Sequence, residues 1–172
     1  MIILVIKKIN YNEYAMEALE QLKKGAFLTV KENNKVNTMT IGWGNIGIIW
    51  NKPIFMVLVR FSRYTYDLLE KSKEFTISIP IKNDLRKELA YCGTYSGKDV
   101  DKIKECNLKL VKGQSISTPV IENCDLHFEC KVVYQQAMEP GLVEKSIKEK
   151  NYPNHDYHIL YFGEVLDSYI IE

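Results

Sequence analysis

The chain has 172 residues, of which 46% are hydrophobic and 26% charged. That is enough apolar material for one substantial core and too little length for two independent domains, so residues 1–172 read as a single domain. Lysine and arginine number 23 against 22 aspartate and glutamate, which leaves no global field to gather nucleic acid or an anionic membrane surface.

The opening run Met1–Ile6 has no preceding positive region and is followed by Lys7-Lys8. It is too short for a secretory core or a membrane span and reads as a first strand. Cys92, Cys106, Cys124 and Cys130 form no Cys-x-x-Cys pair, as suits reduced thiols and a cytoplasmic location. From Glu13 to Lys24 one helical face carries Ala15, Ala18, Leu19 and Leu22, and Gly25 stands where the helix should stop.

Beyond Gly25 the period changes. Phe27–Lys31, Thr38–Gly42, Ile54–Arg60 and Phe75–Ile79 are short β-branched or aromatic runs punctuated by Asn, Gly or Pro, and read as strands. Ile54–Val59 is apolar without alternation, which predicts a central strand covered on both faces. Thr65–Ser72 and Asp84–Cys92 read as helices inserted between strands, the second with Leu85, Leu89 and Cys92 aligned. A third helix is expected to open at Ser96-Gly97-Lys98-Asp99, with Val100 and Ile103 inward and Lys102 and Lys104 outward.

The last third returns to strands. Leu126, Phe128, Cys130, Val132 and Tyr134 alternate with His127, Glu129 and Lys131, and a long strand runs from about His158 to Ile171. Between them, 137–157 holds Pro140, Gly141, Pro153, many charges and a short helix near 142–150; it is placed to serve as a lid. The sum is a mainly β chain with peripheral helices.

Two chemistries find little support. In Cys124-x-x-His127-x-x-Cys130 a strand turns His127 away from the two thiols, and His155-Asp156-Tyr157-His158 lacks further ligands nearby, so no metal site is expected. A hydrolase would need a Gly-x-Ser-x-Gly turn or a cysteine with a base, and neither is present.

The richest segment is Asn37-Thr38-Met39-Thr40-Ile41-Gly42-Trp43, followed after one strand by Arg60, Ser62, Arg63, Tyr64 and Thr65. Small hydroxyl and glycine residues let backbone approach a flat ligand. The helix beginning near Thr65 aims unpaired amides at whatever sits beside the hydroxyls and cations of the second cluster, as a phosphate site requires. Each hydrogen bond to a charged group contributes roughly 1.5–3 kcal/mol, so several together would separate a phosphorylated ligand from its unphosphorylated counterpart. Taken singly, each segment also fits a plainer role: Ser62–Thr65 a turn with a helix cap, and Thr38–Ile41 a half-buried strand.

Together with Gly25–Val30, Pro53, Ser96-Gly97-Lys98-Asp99-x-Asp101-Lys102 and His158-x-x-x-x-Gly163-Glu164-Val165, these segments resemble the flavin reductase-like family. The resemblance implies an FMN-binding split β-barrel, assembled as a homodimer whose interface helps to form two FMN sites. It implies that Asn37–Trp43 lies along the isoalloxazine and ribityl chain and that Arg60–Thr65 binds phosphate. It gives Lys98 or Asp99 a binding role, often across a dimer interface, with a solvated capped helix as the competing reading, and His158 a catalytic place near the flavin, where a histidine that merely satisfies its strand is the competing reading. Trp43 and Trp50 are candidates to stack on the ring, or to pack in the core.

The activity implied is NAD(P)H-dependent reduction of flavin, with electrons passed to a second acceptor. The alternative is a non-catalytic FMN electron carrier, flavoredoxin-like, served by an electron-transfer protein. The chain departs from the family's reductases, which tend to carry Ala-Asn-Ser-Phe-like residues where Thr38–Trp43 stands. The choice between NADH and NADPH is left open.

Overall fold

The computed structural model describes residues 4–172. The expected first strand over Met1–Ile6 lies partly outside them, and the described strand β1 is Ile6–Lys8. A helix, α1 (Ala15–Leu22), buries Ala18 and Leu22 but leaves Leu19 41% exposed. Gly25 then takes φ +121°, and its amide donates to the Gln21 and Leu22 carbonyls. Only glycine enters that conformation cheaply, so the helix stops and a strand begins.

Two hairpins follow. β2 (Ala26–Glu32) pairs with β3 (Lys35–Ile41) around Asn33-Asn34, and β4 (Gly44–Ile49) pairs with β5 (Lys52–Arg60) around Trp50-Asn51. Trp50 and Asn51 both have positive φ, the backbone that a tight two-residue hairpin turn demands. Next come α2 (Tyr64–Ser72), β6 (Glu74–Ile79), α3 (Arg86–Thr94), α4 (Lys102–Glu105), and the short pair β7 (Leu110–Val111) and β8 (Val120–Ile121). The chain closes with β9 (Leu126–Ala137), α5 (Lys145–Asn151) and β10 (His158–Ile171).

β10 is the spine of the sheet. It pairs along one edge with β9 and along the other with β5 in its first half and β1 in its last residues. The strand order is β3-β2-β6-β9-β10-β5-β4, every pair antiparallel. Strands make up the larger part of the regular structure, and the sheet is that of a split β-barrel. Its core gathers Val30, Phe55, Val57, Phe75, Ile77, Phe128 and Tyr161, with Phe55 and Phe128 edge to face at 5.2 Å. Each large apolar side chain so buried contributes roughly 1.5–3 kcal/mol.

Two expectations are corrected, and two features of the fold carried no signal in the sequence. β5 lies one strand from the edge, and its outward-facing Met56 and Leu58 are only half-buried beside Ile54, Phe55, Val57 and Val59. β4 had no sequence signal. The helix expected at Ser96 opens at Lys102, with Asp101 accepting a hydrogen bond from the Lys104 amide as its cap. In β9, His127 and Glu129 face inward to a second buried layer rather than to solvent.

That layer is formed by the loop over 112–119. Glu129 accepts hydrogen bonds from the amides of Gln114, Ser115 and Ile116 at 2.6, 2.7 and 3.0 Å, and from the Tyr169 hydroxyl at 2.6 Å. His127 places its two ring nitrogens 3.1 Å from the Ser78 hydroxyl and 3.0 Å from the Cys124 carbonyl. The four cysteines are free thiols, with the Cys92 and Cys106 sulfurs 4.0 Å apart.

Candidate functional site

A cleft opens where β3, the end of β5 and the start of α2 meet the segment before β10. Its larger compartment, about 510 Å³, is lined by Asn37, Met39, Arg60, Ser62, Arg63, Tyr64 and Thr65, and closed by 94–97, Lys102 and 150–156. A smaller one, about 190 Å³, is framed by Met39–Trp43, Leu58 and His158, and shares Met39, Arg60 and Arg63 with the first.

The walls are cross-braced. Asn37 donates from its side-chain amide to the Thr65 hydroxyl at 2.9 Å, tying β3 to α2. Thr40 donates to the Leu89 carbonyl at 2.6 Å, tying β3 to α3. The carbonyls at the end of α3 are taken up by two cations: Lys102 donates to Cys92 at 3.1 Å and Arg63 to Gly93 at 3.0 Å. A helix C-terminus carries partial negative charge and unpaired carbonyls, so both cations are held where they also face the cleft.

The larger compartment is electropositive. Arg60, Arg63, Lys102 and Lys150 line it against the single carboxylate of Asp156. Lys102 is only 5% exposed, and burial lowers its pKa, with the neighbouring Arg63 adding to that effect. Its ammonium has three donors and one protein partner. Beside it the start of α2 supplies amides free of intrahelical partners.

The segment before β10 is fastened over this end. Arg60 donates to the Asp156 carbonyl and, at 3.0 Å, to the Asn151 carbonyl. Asp156 in turn accepts from the Ser62 hydroxyl at 2.6 Å and the Ser62 amide at 3.4 Å. The Ser62 donors therefore already hold an anion, one carried by the chain itself.

In the smaller compartment Trp43 stands 5.4 Å from the His158 ring. His158 is 7% exposed, and its Nδ1 lies 2.7 Å from the Tyr152 hydroxyl. Burial, then the charge of Arg60, pushes its pKa down to about 4, so the ring is neutral at pH 7.

A family model for the flavin reductase like domain matches residues 24–172. The chain belongs to that family. An uncharacterised protein of Archaeoglobus fulgidus is 31% identical over 140 residues, 81% of this chain and 68% of that protein. Among solved structures, flavoredoxin from Methanosarcina acetivorans is 26% identical with a TM-score of 0.64, covering 84% of this chain and 67% of that one. An FMN-binding domain of a flavin reductase-like enzyme from Shewanella baltica is 16% identical with a TM-score of 0.68, covering 99% and 79%.

Of the residues singled out in this family member's sequence, Asn37, Met39–Trp43, Arg60, Ser62–Thr65 and His158 come together around the cleft. Thr38 does not line it. Its side chain turns into the sheet, receiving a hydrogen bond from Thr29 at 3.1 Å and donating to the Leu28 carbonyl at 3.2 Å. Lys98 and Asp99 line a neighbouring groove, where Lys98 pairs with Asp67 at 2.9 Å. Trp50 sits 57% exposed at its hairpin tip, edge-on to Tyr134, and lines neither compartment.

Lys102, Tyr152 and Asp156 are among the cleft residues that escaped sequence reasoning. Lys102 was expected to face solvent, but α4 starts six residues after Ser96 and its first residue turns inward. The Asp-Lys step at 101–102 is the signal that could have found it, since a capping aspartate fixes where the helix begins. Tyr152 and Asp156 reach the cleft only through folding of a segment that carries no periodic pattern.

Proposed function

We propose that the cleft binds FMN and that the protein is an NAD(P)H-dependent flavin oxidoreductase passing electrons to a second acceptor. The observation that carries this reading is the buried, under-used ammonium of Lys102 and the open amides of α2 at one end of a cleft whose other end is framed by Met39–Trp43, Leu58 and His158. The Shewanella domain, described as FMN-binding, is the supporting relative.

The residues present fit the cofactor. Lys102, Arg63 and the amides of Tyr64 and Thr65 would hold the phosphate, and the Ser62 donors that grip Asp156 are of the same kind. Asn37 and Met39 would follow the ribityl chain, with Thr40, Ile41, Gly42 and Trp43 along the ring. Bound FMN would supply a hydride acceptor for a reduced nicotinamide and a donor to the second acceptor. The protein's part is to orient both ligands, exclude water and set donors where negative charge grows on the ring.

The homodimer belongs to the same proposal. Ile49 is exposed on β4, on the sheet face that also carries the half-buried Met56 and Leu58 of β5, an apolar face that a second copy would cover. Lys98 and Asp99 are assigned to the partner's site, since within one chain they stand outside the cleft.

The test is one cuvette. The protein is titrated with FMN, and the flavin band is followed anaerobically after NADH or NADPH. Binding with rapid bleaching is the expected result. Binding without bleaching would leave the electron-carrier reading, for which the flavoredoxin relative stands, and no binding would remove both.

A further inference from the structure

Tyr152 is 3% exposed, and its hydroxyl meets one polar partner among the described residues, Nδ1 of His158 at 2.7 Å. A buried phenol O–H without an acceptor is costly, and no other acceptor is in reach, so Tyr152 donates and Nδ1 accepts. The ring is neutral, which puts its one proton on Nε2. Nε2 has no partner among the described residues and is not sealed off from solvent, while the ring lines the smaller compartment beside Trp43, Met39, Ile41 and Leu58.

Tyr152 is itself immobilised. The Arg60 guanidinium lies 5.1 Å above its ring, and Tyr157 stacks against it at 4.9 Å and 21°. The Arg60 that clamps this segment to β5 therefore also fixes the phenol. The charged groups facing His158 are Arg60 and Arg63, which oppose its protonation, and Asp156, which favours it.

We propose that Tyr152 is a positioning residue that locks His158 in the Nε2–H tautomer, presenting a neutral N–H donor to the carbonyl oxygen of a second ligand in the smaller compartment. This rests on the flavin-binding reading for the ligand's place, but the tautomer stands on the protein alone. An N–H donor in a compartment that sets Trp43, Met39, Ile41 and Leu58 beside Arg60 and Arg63 suits a flat ligand that carries a carbonyl acceptor. A carboxamide on a nicotinamide and the ketone of an unsaturated electron acceptor share that chemistry.

The first measurement is made without flavin. Long-range 1H–15N correlation spectra of the labelled protein at pH 7 should show His158 with Nδ1 bare and Nε2 protonated, and Tyr152→Phe should release the ring to a mixture of tautomers. Protonated Nδ1 in the wild type, or a Tyr152→Phe spectrum unchanged at His158, overturns the proposal.

The second uses FMN-loaded protein titrated with nicotinamide or cyclopent-2-enone, with pyridine and cyclopentene as carbonyl-free controls, read by the shift of the flavin band. A carbonyl ligand should bind about tenfold tighter than its control, the worth of one good hydrogen bond. Tyr152→Phe should abolish that advantage, bringing each carbonyl ligand to the affinity of its control. Preference for nicotinamide alone names the electron donor as the ligand served, and preference for the enone alone names the acceptor. Parity of both with their controls overturns the donor role. Failure of FMN to bind would sink the flavin reading and leave the tautomer result intact.

Discussion

Two regions of this molecule bury charged side chains, and they use them differently. Behind the sheet, Glu129 accepts four hydrogen bonds from three amides and one hydroxyl, and His127 commits both ring nitrogens. In the cleft, among the described residues, Lys102 gives one of its three donors to a carbonyl and His158 leaves Nε2 without a partner. A polar group that closes on the protein stabilises the fold. One that is buried with spare bonding capacity destabilises it slightly and gains when a ligand arrives.

The sharpest way to break this comparison is to empty the closed region. Glu129→Leu strands three amides and the Tyr169 hydroxyl, and should cost about 3–5 kcal/mol in urea denaturation. FMN affinity of the protein that remains folded should be unchanged, because Glu129 touches nothing in the cleft. A loss below about 1 kcal/mol would mean water replaces the carboxylate freely and the region is not closed.

Acid tests both regions together. Burial lowers the pKa of His127 and of His158 from 6.5 to about 4. Below pH 6.5 the unfolded chain takes protons that the folded one refuses, so stability is full above 6.5 and falls until about pH 4. Each histidine contributes about 3 kcal/mol over that window. His158→Phe should remove its share of the slope. FMN should raise the pKa of His158 in an NMR titration and leave that of His127 where it was, since phosphate charge reaches only the open region.

The sequence reading succeeded where pattern is local and failed where partners are distant. The stop at Gly25, the strands beginning near Phe27 and Phe75, and the long strand from His158 to Ile171 were legible because periodicity and turn residues specify them. The two halves of the cleft were legible through their likeness to a family, which Asn37–Trp43 and Arg60–Thr65 carry.

β4 was not. Gly-Asn-Ile-Gly-Ile-Ile has no alternation and two glycines, and it is a strand because its hairpin partner is one. The burial of Glu129 was not legible either, because the loop that covers it lies about fifteen residues earlier in the chain and nothing in its own strand encodes it. Asp156 meets Ser62 across 94 residues.

The smallest effect expected is the most discriminating. Lys102→Met removes an ammonium whose burial is uncompensated except by one carbonyl, and methionine fills the same volume without the desolvation cost. In the flavin-free protein stability should hold or rise by up to about 1 kcal/mol, the reverse of Glu129→Leu. FMN affinity should fall about 10- to 100-fold, with riboflavin affinity little changed, because the missing charge faced the phosphate alone. The wild type carries a matching pH signature. A lysine whose folded pKa lies below 10.5 makes the flavin-free protein more stable as pH rises through the interval between the two values. Bound phosphate returns the lysine toward its ordinary pKa, so saturating FMN should flatten that rise, and Lys102→Met should lack it with or without flavin. Equal loss of FMN and riboflavin in Lys102→Met would place the ammonium in the architecture of the cleft, beside Glu129 in kind, and dissolve the distinction between the two regions.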